Sequence, residues 1–264
     1  MLKQRLISAV IAVIVLGVVL FVLPLSAARV FIAGVILVAA WEWGGFFGGT
    51  GNAWRVACVA VIAILQLLLL FALESGWLAE ILVFVIGLLW WAAAFCWLQF
   101  YPTPVPRALT WLAAILVLLP AWLAVDYILR ASSALLLFVL IIVWAADIGA
   151  YFAGKRFGRV KLAPRVSPGK TWEGVFGGLI LVALISFVGA RLLELTLVTL
   201  LPFSIGIALL SVVGDLTVSA FKRSVAMKDS GKLFPGHGGL LDRIDSVTAA
   251  APLFALGMGW MGMY

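Results

Sequence analysis

The chain is poor in what a water-soluble domain uses to meet its solvent. Only 11% of its 264 residues are charged, eleven of them carboxylates, against 66% hydrophobic residues, and the mean hydropathy is +1.24. That much apolar surface cannot be hidden in water, so a soluble enzyme is excluded and the bilayer becomes the solvent. Cysteine is scarce too. Cys58 and Cys96 both fall in apolar runs, where a thiol behaves as a small hydrophobe, so neither a disulfide nor a thiolate metal centre is expected. Runs such as residues 11–23 do not alternate apolar with polar positions, which excludes a membrane barrel. No small-residue cleavage site follows the first apolar run, and it is expected to be a retained helix rather than a signal peptide. The absence of an internal repeat counts against inverted-repeat transporter folds.

What is present is a set of apolar segments of membrane-crossing length, since a hydrocarbon core of roughly 30 Å needs about 20 residues of helix. Nine can be placed: residues 6–23, 30–47, 53–73, 77–98, 109–125, 134–152, 175–190, 197–220 and 247–263. Lipid offers backbone groups no partner, so these are expected to be helices. The expected fold is an all-α polytopic bundle in a single membrane domain. Residues 1–130 form its helical scaffold, with lipid or dimer contacts, and residues 131–264 hold the catalytic helices and loops. With the N-terminus inside, 15 of the 18 cations fall on inner loops and only Arg29, Arg130 and Arg191 lie outside. Positive charge on short loops marks the cytoplasmic side, so the N-terminus is expected there. The tryptophans of the scaffold are expected to anchor or pack, whereas Glu42, near the inner end of a helix, needs a partner or water.

Polar chemistry concentrates in residues 214–246, GDLTVSAFKRSVAMKDSGKLFPGHGGLLDRIDS, which hold four aspartates, five cations and the single histidine. Asp215, Ser219, Lys222 and Arg223 follow helical spacing and make one stripe running out of the membrane. Gly236, Gly238 and Gly239 around His237 let backbone approach a ligand or take positive φ. Asp242 and Asp245, three apart, face one way at the start of the last helix. Asp215 and Asp242 can converge on one Mg²⁺, which takes one or two carboxylates and leaves its other positions to water and phosphate.

Two further features precede this stretch. Asp147, Tyr151 and Lys155 share a helical face, and a carboxylate at membrane depth is a functional candidate. Residues 154–174 then form a basic loop in which Gly169-Lys170-Thr171 resembles the end of a Walker A loop. Pro164 occupies the required glycine position, so a P-loop is not expected. A turn at Pro168-Gly169 remains that could aim N–H groups, Lys170 and a hydroxyl at an anion, and an ordinary basic loop is the alternative reading.

The order Ser219-x-x-Lys222-Arg223, Lys228-Asp229, Pro235-Gly236-His237-Gly238-Gly239 and Asp242-Arg243-x-Asp245 resembles the signature of the phosphatidate cytidylyltransferase, or CDP-diacylglycerol synthase, family. Ser167-Pro168-x-Lys170-Thr171-x-Glu173 and Ala146-Asp147-x-Gly149-Ala150-Tyr151 resemble two other family elements. The match is strong over residues 147–246 and rests on hydrophobic layout alone over residues 1–130. It implies transfer of a cytidylyl group from CTP to phosphatidate in a bacterial inner membrane, with the site on the cytoplasmic face. It further implies Mg²⁺ on Asp215 and Asp242, a second monovalent cation such as K⁺, and a homodimer among membrane lipids, with no nucleic-acid partner. Lys170, Lys222, Arg223 and Arg243 would neutralise phosphates. Asp229, Asp245 and His237 would orient those cations or hold the second ion. Asp147, Tyr151, Ser167, Thr171, Glu173, Ser219, Lys228, Gly238 and Gly239 would complete the substrate site. Rival readings are a cytidylyltransferase for isoprenoid ether lipids (the CDP-archaeol type), a polyprenol kinase and, from another class, a cation transporter using Asp147 and Asp215.

Overall fold

A computed structural model describes residues 2–48, 51–76, 78–233 and 238–260. Nine α-helices are found among the described residues: α1 (Leu2–Phe21), α2 (Leu25–Trp43), α3 (Ala53–Glu74), α4 (Glu80–Phe100), α5 (Arg107–Ala131), α6 (Ser133–Phe157), α7 (Trp172–Leu192), α8 (Leu197–Ser224) and α9 (Leu241–Met258). Each overlaps one expected apolar segment, with its ends displaced: α5 runs to Ala131 where 125 was expected, and α9 starts at Leu241 where 247 was expected. Seven, α2 to α8, are long and apolar enough to cross a membrane. The described apolar part of α1, Val10–Phe21, is shorter, and α9 opens with Asp242, Arg243 and Asp245. The fold is an all-α polytopic membrane protein.

The basic segment between α6 and α7 departs from the sequence expectation. α6 runs on to Phe157 instead of stopping at Phe152, and the remainder folds as an antiparallel hairpin of β1 (Lys161–Ala163) and β2 (Ser167–Thr171). Its turn lies at residues 164–166, closed by Val166 N–H on the Ala163 carbonyl at 3.1 Å. Pro168-Gly169, expected to make the turn, stands inside β2. A two-stranded ribbon has a free edge on both strands, where a proline without an N–H is tolerated.

The hairpin sits where it does because α6 and α7 approach almost backbone to backbone. A Cβ on Gly149 would lie 2.6 Å from the Gly177 carbonyl oxygen, and one on Gly178 would lie 2.6 Å from that of Ala146. Small residues at such crossings let apolar helices pack without a hydrophobic driving force between them. A similar contact joins α8 to α9, where a Cβ on Gly214 would meet the Asp245 carbonyl oxygen at 2.6 Å. On the far side of α8, Phe221 is fully buried against Trp43, Phe46 and Trp97 with ring centroids 5.3 to 6.4 Å away. Trp43 is itself buried and donates its indole N–H to the Thr110 carbonyl, so this tryptophan packs rather than anchoring at an interface.

One end of the bundle is tied by charge. Asp126 of α5, 3% exposed at its side chain, accepts from Arg29 of α2 at 2.7 and 3.1 Å and from Arg130 at 3.1 Å. Arg130 continues to Glu80 of α4. Arg29 and Arg130, two of the three cations that the charge bias assigns outside, thus share one carboxylate. Removing one partner of a buried pair strands the others, at about 3–5 kcal/mol in full burial. Both guanidiniums are more than a third exposed, so solvent screening reduces the expected loss to about 1–3 kcal/mol. Asp126→Ala should lower the thermal midpoint in detergent, followed by tryptophan fluorescence, whereas an unchanged midpoint would mean that the network contributes nothing.

Candidate active site

At the opposite end, the polar residues converge because α8, α9 and the hairpin are held at close range. Asp215 leaves α8 at the turn after Gly214, where α9 is nearest. Its carboxylate accepts from the Ser219 hydroxyl at 3.1 Å and pairs with Lys170 of β2 at 2.5 Å. Two turns on, Lys222 reaches Asp242 of α9 at 2.6 Å, with both side chains nearly buried. The second Asp242 oxygen takes the N–H groups of Ser230 and Gly239, each at 2.9 Å. Asp245 is buried at 6% exposure and lies within electrostatic range of Asp215, Lys222 and Lys170. Asp147 of α6 is exposed but feels Lys170, Asp215 and Arg243. One charged cluster therefore joins residues from α6, β2, α8 and α9.

Several residues of the expected set have structural duties. The Arg223 guanidinium donates to the carbonyls of Val166 and Met227 at 3.3 and 2.8 Å, tying the hairpin turn to the segment after α8. Thr171 is buried and accepts the Gly174 N–H at 3.2 Å as the N-cap of α7, so its hydroxyl serves the helix. Glu173 accepts the Val160 N–H at 3.2 and 3.3 Å and pins the start of the hairpin. Tyr151 is 61% exposed, and Lys155 lies over its ring at 5.8 Å. Ser167 is half-buried in β2, while Lys228 and Asp229 are exposed. Gly238 takes φ +80°, and a Cβ there would meet Asp242 at 2.7 Å and Asp229 at 3.4 Å, so its freedom serves the loop's approach to these carboxylates. His237 and Gly236 lie outside the described residues.

Asp242 and Asp245 start α9 together, as their spacing indicates, but they do different things. Asp242 gathers the loop and Lys222, while Asp245 faces Asp215. A residue that the sequence left as a loose candidate turns out to be central. Glu42 of α2 is buried at 3% exposure and accepts from the Ser230 hydroxyl at 2.8 Å and from the N–H groups of Leu240 and Leu241 at 3.0 and 2.8 Å. The signal was its charge at a helix end in an apolar segment. Its partners, some 190 positions away, were not readable.

A multipass helical protein whose interior carboxylates carry ammonium groups at one end of the bundle is built as a membrane enzyme for a charged substrate. The sequence model of the Cytidylyltransferase family matches residues 3–260, and the chain belongs to that family. It is 42% identical to the phosphatidate cytidylyltransferase of Pseudomonas aeruginosa, over 97% of this chain and 96% of that protein. Against the protein of the same name in Haemophilus influenzae the identity is 36%, over 97% and 98% of the two chains. With that of Thermotoga maritima it is 45%, over 47% of each. The kinship thus extends through residues 1–130, which hydrophobic layout alone had linked to the family.

Gly214 offers a test of whether the α8–α9 contact assembles the site. Gly214→Val should leave a folded protein by size exclusion in detergent and cut cytidylyltransferase turnover by at least about tenfold, since small misplacements at an active site are costly. Wild-type turnover in that variant would show that the close approach is dispensable.

Proposed function

We propose that the protein transfers a cytidylyl group from CTP to phosphatidate, releasing pyrophosphate and forming CDP-diacylglycerol at the cytoplasmic face of a bacterial inner membrane. The observation that carries this reading is the meeting, at Arg243, of the charged cluster with an apolar slot of about 430 Å³. The slot runs between α1, α2, α5, α6 and α9, from Arg243 and Trp144 toward Phe31 and Val125. Acyl chains suit the slot and phosphates suit the cluster. The names of the near-full-length relatives point the same way.

In this reading a phosphatidate oxygen attacks the α-phosphorus of CTP. The bond from that phosphorus to the bridging oxygen breaks, and pyrophosphate leaves with its electron pair. The lipid phosphate is already an anionic nucleophile, so positioning and charge neutralisation are the protein's main contributions. Lys170 and Lys222 exchange their carboxylate partners for phosphate oxygens, and Arg243, exposed at the polar end of the slot, meets the lipid phosphate. Asp147 and Asp245 hold these cations in place.

Asp215 and Asp242 fit a magnesium ion by donor chemistry. Each is a hard oxygen ligand already matched to a positive charge. Such an ion would keep water and phosphate in its remaining positions. Bound there, Mg²⁺ would offset charge developing on the phosphate oxygens. A second, monovalent cation and a homodimer belong to the proposal on family resemblance alone.

Purified protein in detergent with phosphatidate and Mg²⁺ should release pyrophosphate with CTP and at most a few per cent as fast with ATP, GTP or UTP. Equal turnover with ATP, or none with CTP, would sink the assignment. Asp215→Asn and Asp242→Asn should each lower turnover by at least about a hundredfold while the protein still folds, and either variant keeping most activity would remove its residue from the metal site. Orientation has its own check. With Cys58 and Cys96 replaced, a cysteine introduced as Lys228→Cys should react with an impermeant maleimide only from the cytoplasmic side.

A further inference from the structure

α9 begins without a cap of its own. Its N-cap position is Leu240, which has helical φ and ψ and no side-chain acceptor. The first N–H groups of a helix have no intrahelical partner and form the positive end of its dipole. The acceptor comes from Glu42, 198 and 199 positions earlier, which takes the N–H groups of both Leu240 and Leu241. Its carboxylate also binds the hydroxyl of Ser230, a residue with no exposed surface. Among the described residues no lysine or arginine pairs with it. The helix terminus and the hydroxyl supply its counter-charge.

The loop is shaped to this carboxylate. A Cβ on Gly231 would lie 2.2 Å from one Glu42 oxygen, and a Cβ on Gly239 would lie 2.3 Å from the other. Neither glycine carries a positive φ, so each is small because Glu42 fills the space a side chain would take. The same loop residues hold Asp242: the N–H of Ser230 and the N–H of Gly239 both go to its Oδ2, and Oδ1 receives Lys222. A continuous set of contacts thus runs from Glu42 through Ser230 and Gly239 to Asp242 and Lys222.

We propose that Glu42 is a positioning residue for the transfer reaction: it clamps the loop after α8 to the start of α9, which sets Asp242 and Lys222 where the CTP phosphates bind. It touches no reacting atom. This inference rests on the reading of the site given above. On α2 the apolar slot is lined by Phe31, Ile32, Val35 and Ile36, deeper than Glu42, although Leu240 and Arg243 also border it, so losing the clamp should disturb the nucleotide side of the reaction more than the lipid side.

The test uses the full chain in detergent with three variants. Glu42→Gln keeps one acceptor oxygen and replaces the other by an amide nitrogen that faces donors. Glu42→Ala removes the group. Glu42→Asp keeps the charge on a shorter arm. For Gln and Ala the expected result is a drop in kcat of at least about thirtyfold and a raised KM for CTP, with the KM for phosphatidate within about twofold of wild type. Asp should recover part of the loss. Wild-type kcat and CTP KM in Glu42→Gln would overturn the proposal, and so would equal damage to both KM values, which would mark a general structural role.

A second arm does not depend on activity. A nitroxide attached through Leu233→Cys, at an exposed loop position with Cys58 and Cys96 replaced, should become more mobile in Glu42→Ala than in its parent. Unchanged mobility would overturn the clamp. If the parent protein showed no turnover with CTP, the functional reading would fall, while this spectrum would still decide whether Glu42 orders the loop.

Discussion

Charge inside an apolar bundle has to be neutralised within the protein, and the structure is arranged around that requirement. A carboxylate away from water is stable only when cations or N–H groups replace its hydration. Three carboxylates with little exposed surface meet this demand with partners from another part of the chain. Asp126 uses Arg29 of α2 beside its own helix's Arg130. Asp242 uses Lys222 of α8 and two loop N–H groups, and Glu42 uses the start of α9. In each case the neutralising contact is also a tertiary tie.

The pairs at the candidate site differ in a way that bears on chemistry. Those of Asp126 tie α2 to α5, with α4 joined through Arg130 and Glu80, and nothing is gained by breaking them. The ammonium groups on Asp215 and Asp242 are single point charges on flexible stems, and Lys170 arrives from a hairpin with its side chain a quarter exposed. Such a cation can pass from carboxylate to phosphate without leaving the protein charged and unpaired, since the substrate brings its own negative charge. Arg223, whose planar fork is spent on two carbonyls, is less free to do so. On the proposed function, Arg223 belongs to the frame and the two lysines to the substrate.

How much of this was legible depends on the range of the interaction. Helix existence follows from apolar runs, and all nine segments could be placed because membrane length is a strong local constraint, whereas the helix ends, α6 running on to Phe157 among them, could not. The stripe from Asp215 to Lys222 was readable from helical spacing. The hairpin was not, because β1 and β2 are short and its residues read equally well as a basic loop, with Pro168-Gly169 offering a more obvious turn than residues 164–166. The partners of each carboxylate were also hidden. Spacing indicates that Asp242 and Asp245 leave α9 on one side, but only the packing of Gly214 against α9 makes Asp245 a neighbour of Asp215 while Asp242 serves the loop.

Glu42 shows how a local reading can name the right residue and miss its reason. In sequence it belongs to the scaffold half, and the glycines it meets belong to the catalytic half. A glycine-rich loop in such a setting is naturally read as space left for a ligand, but the three glycines make room for the protein's own carboxylates: Gly238, with its positive φ, for Asp242 and Asp229, and Gly231 and Gly239 for Glu42. A side chain at either position would collide with Glu42 before it met any nucleotide. On the proposed role of Glu42, residues 1–130 would be more than scaffold at this point, where the geometry of the site would be set from α2.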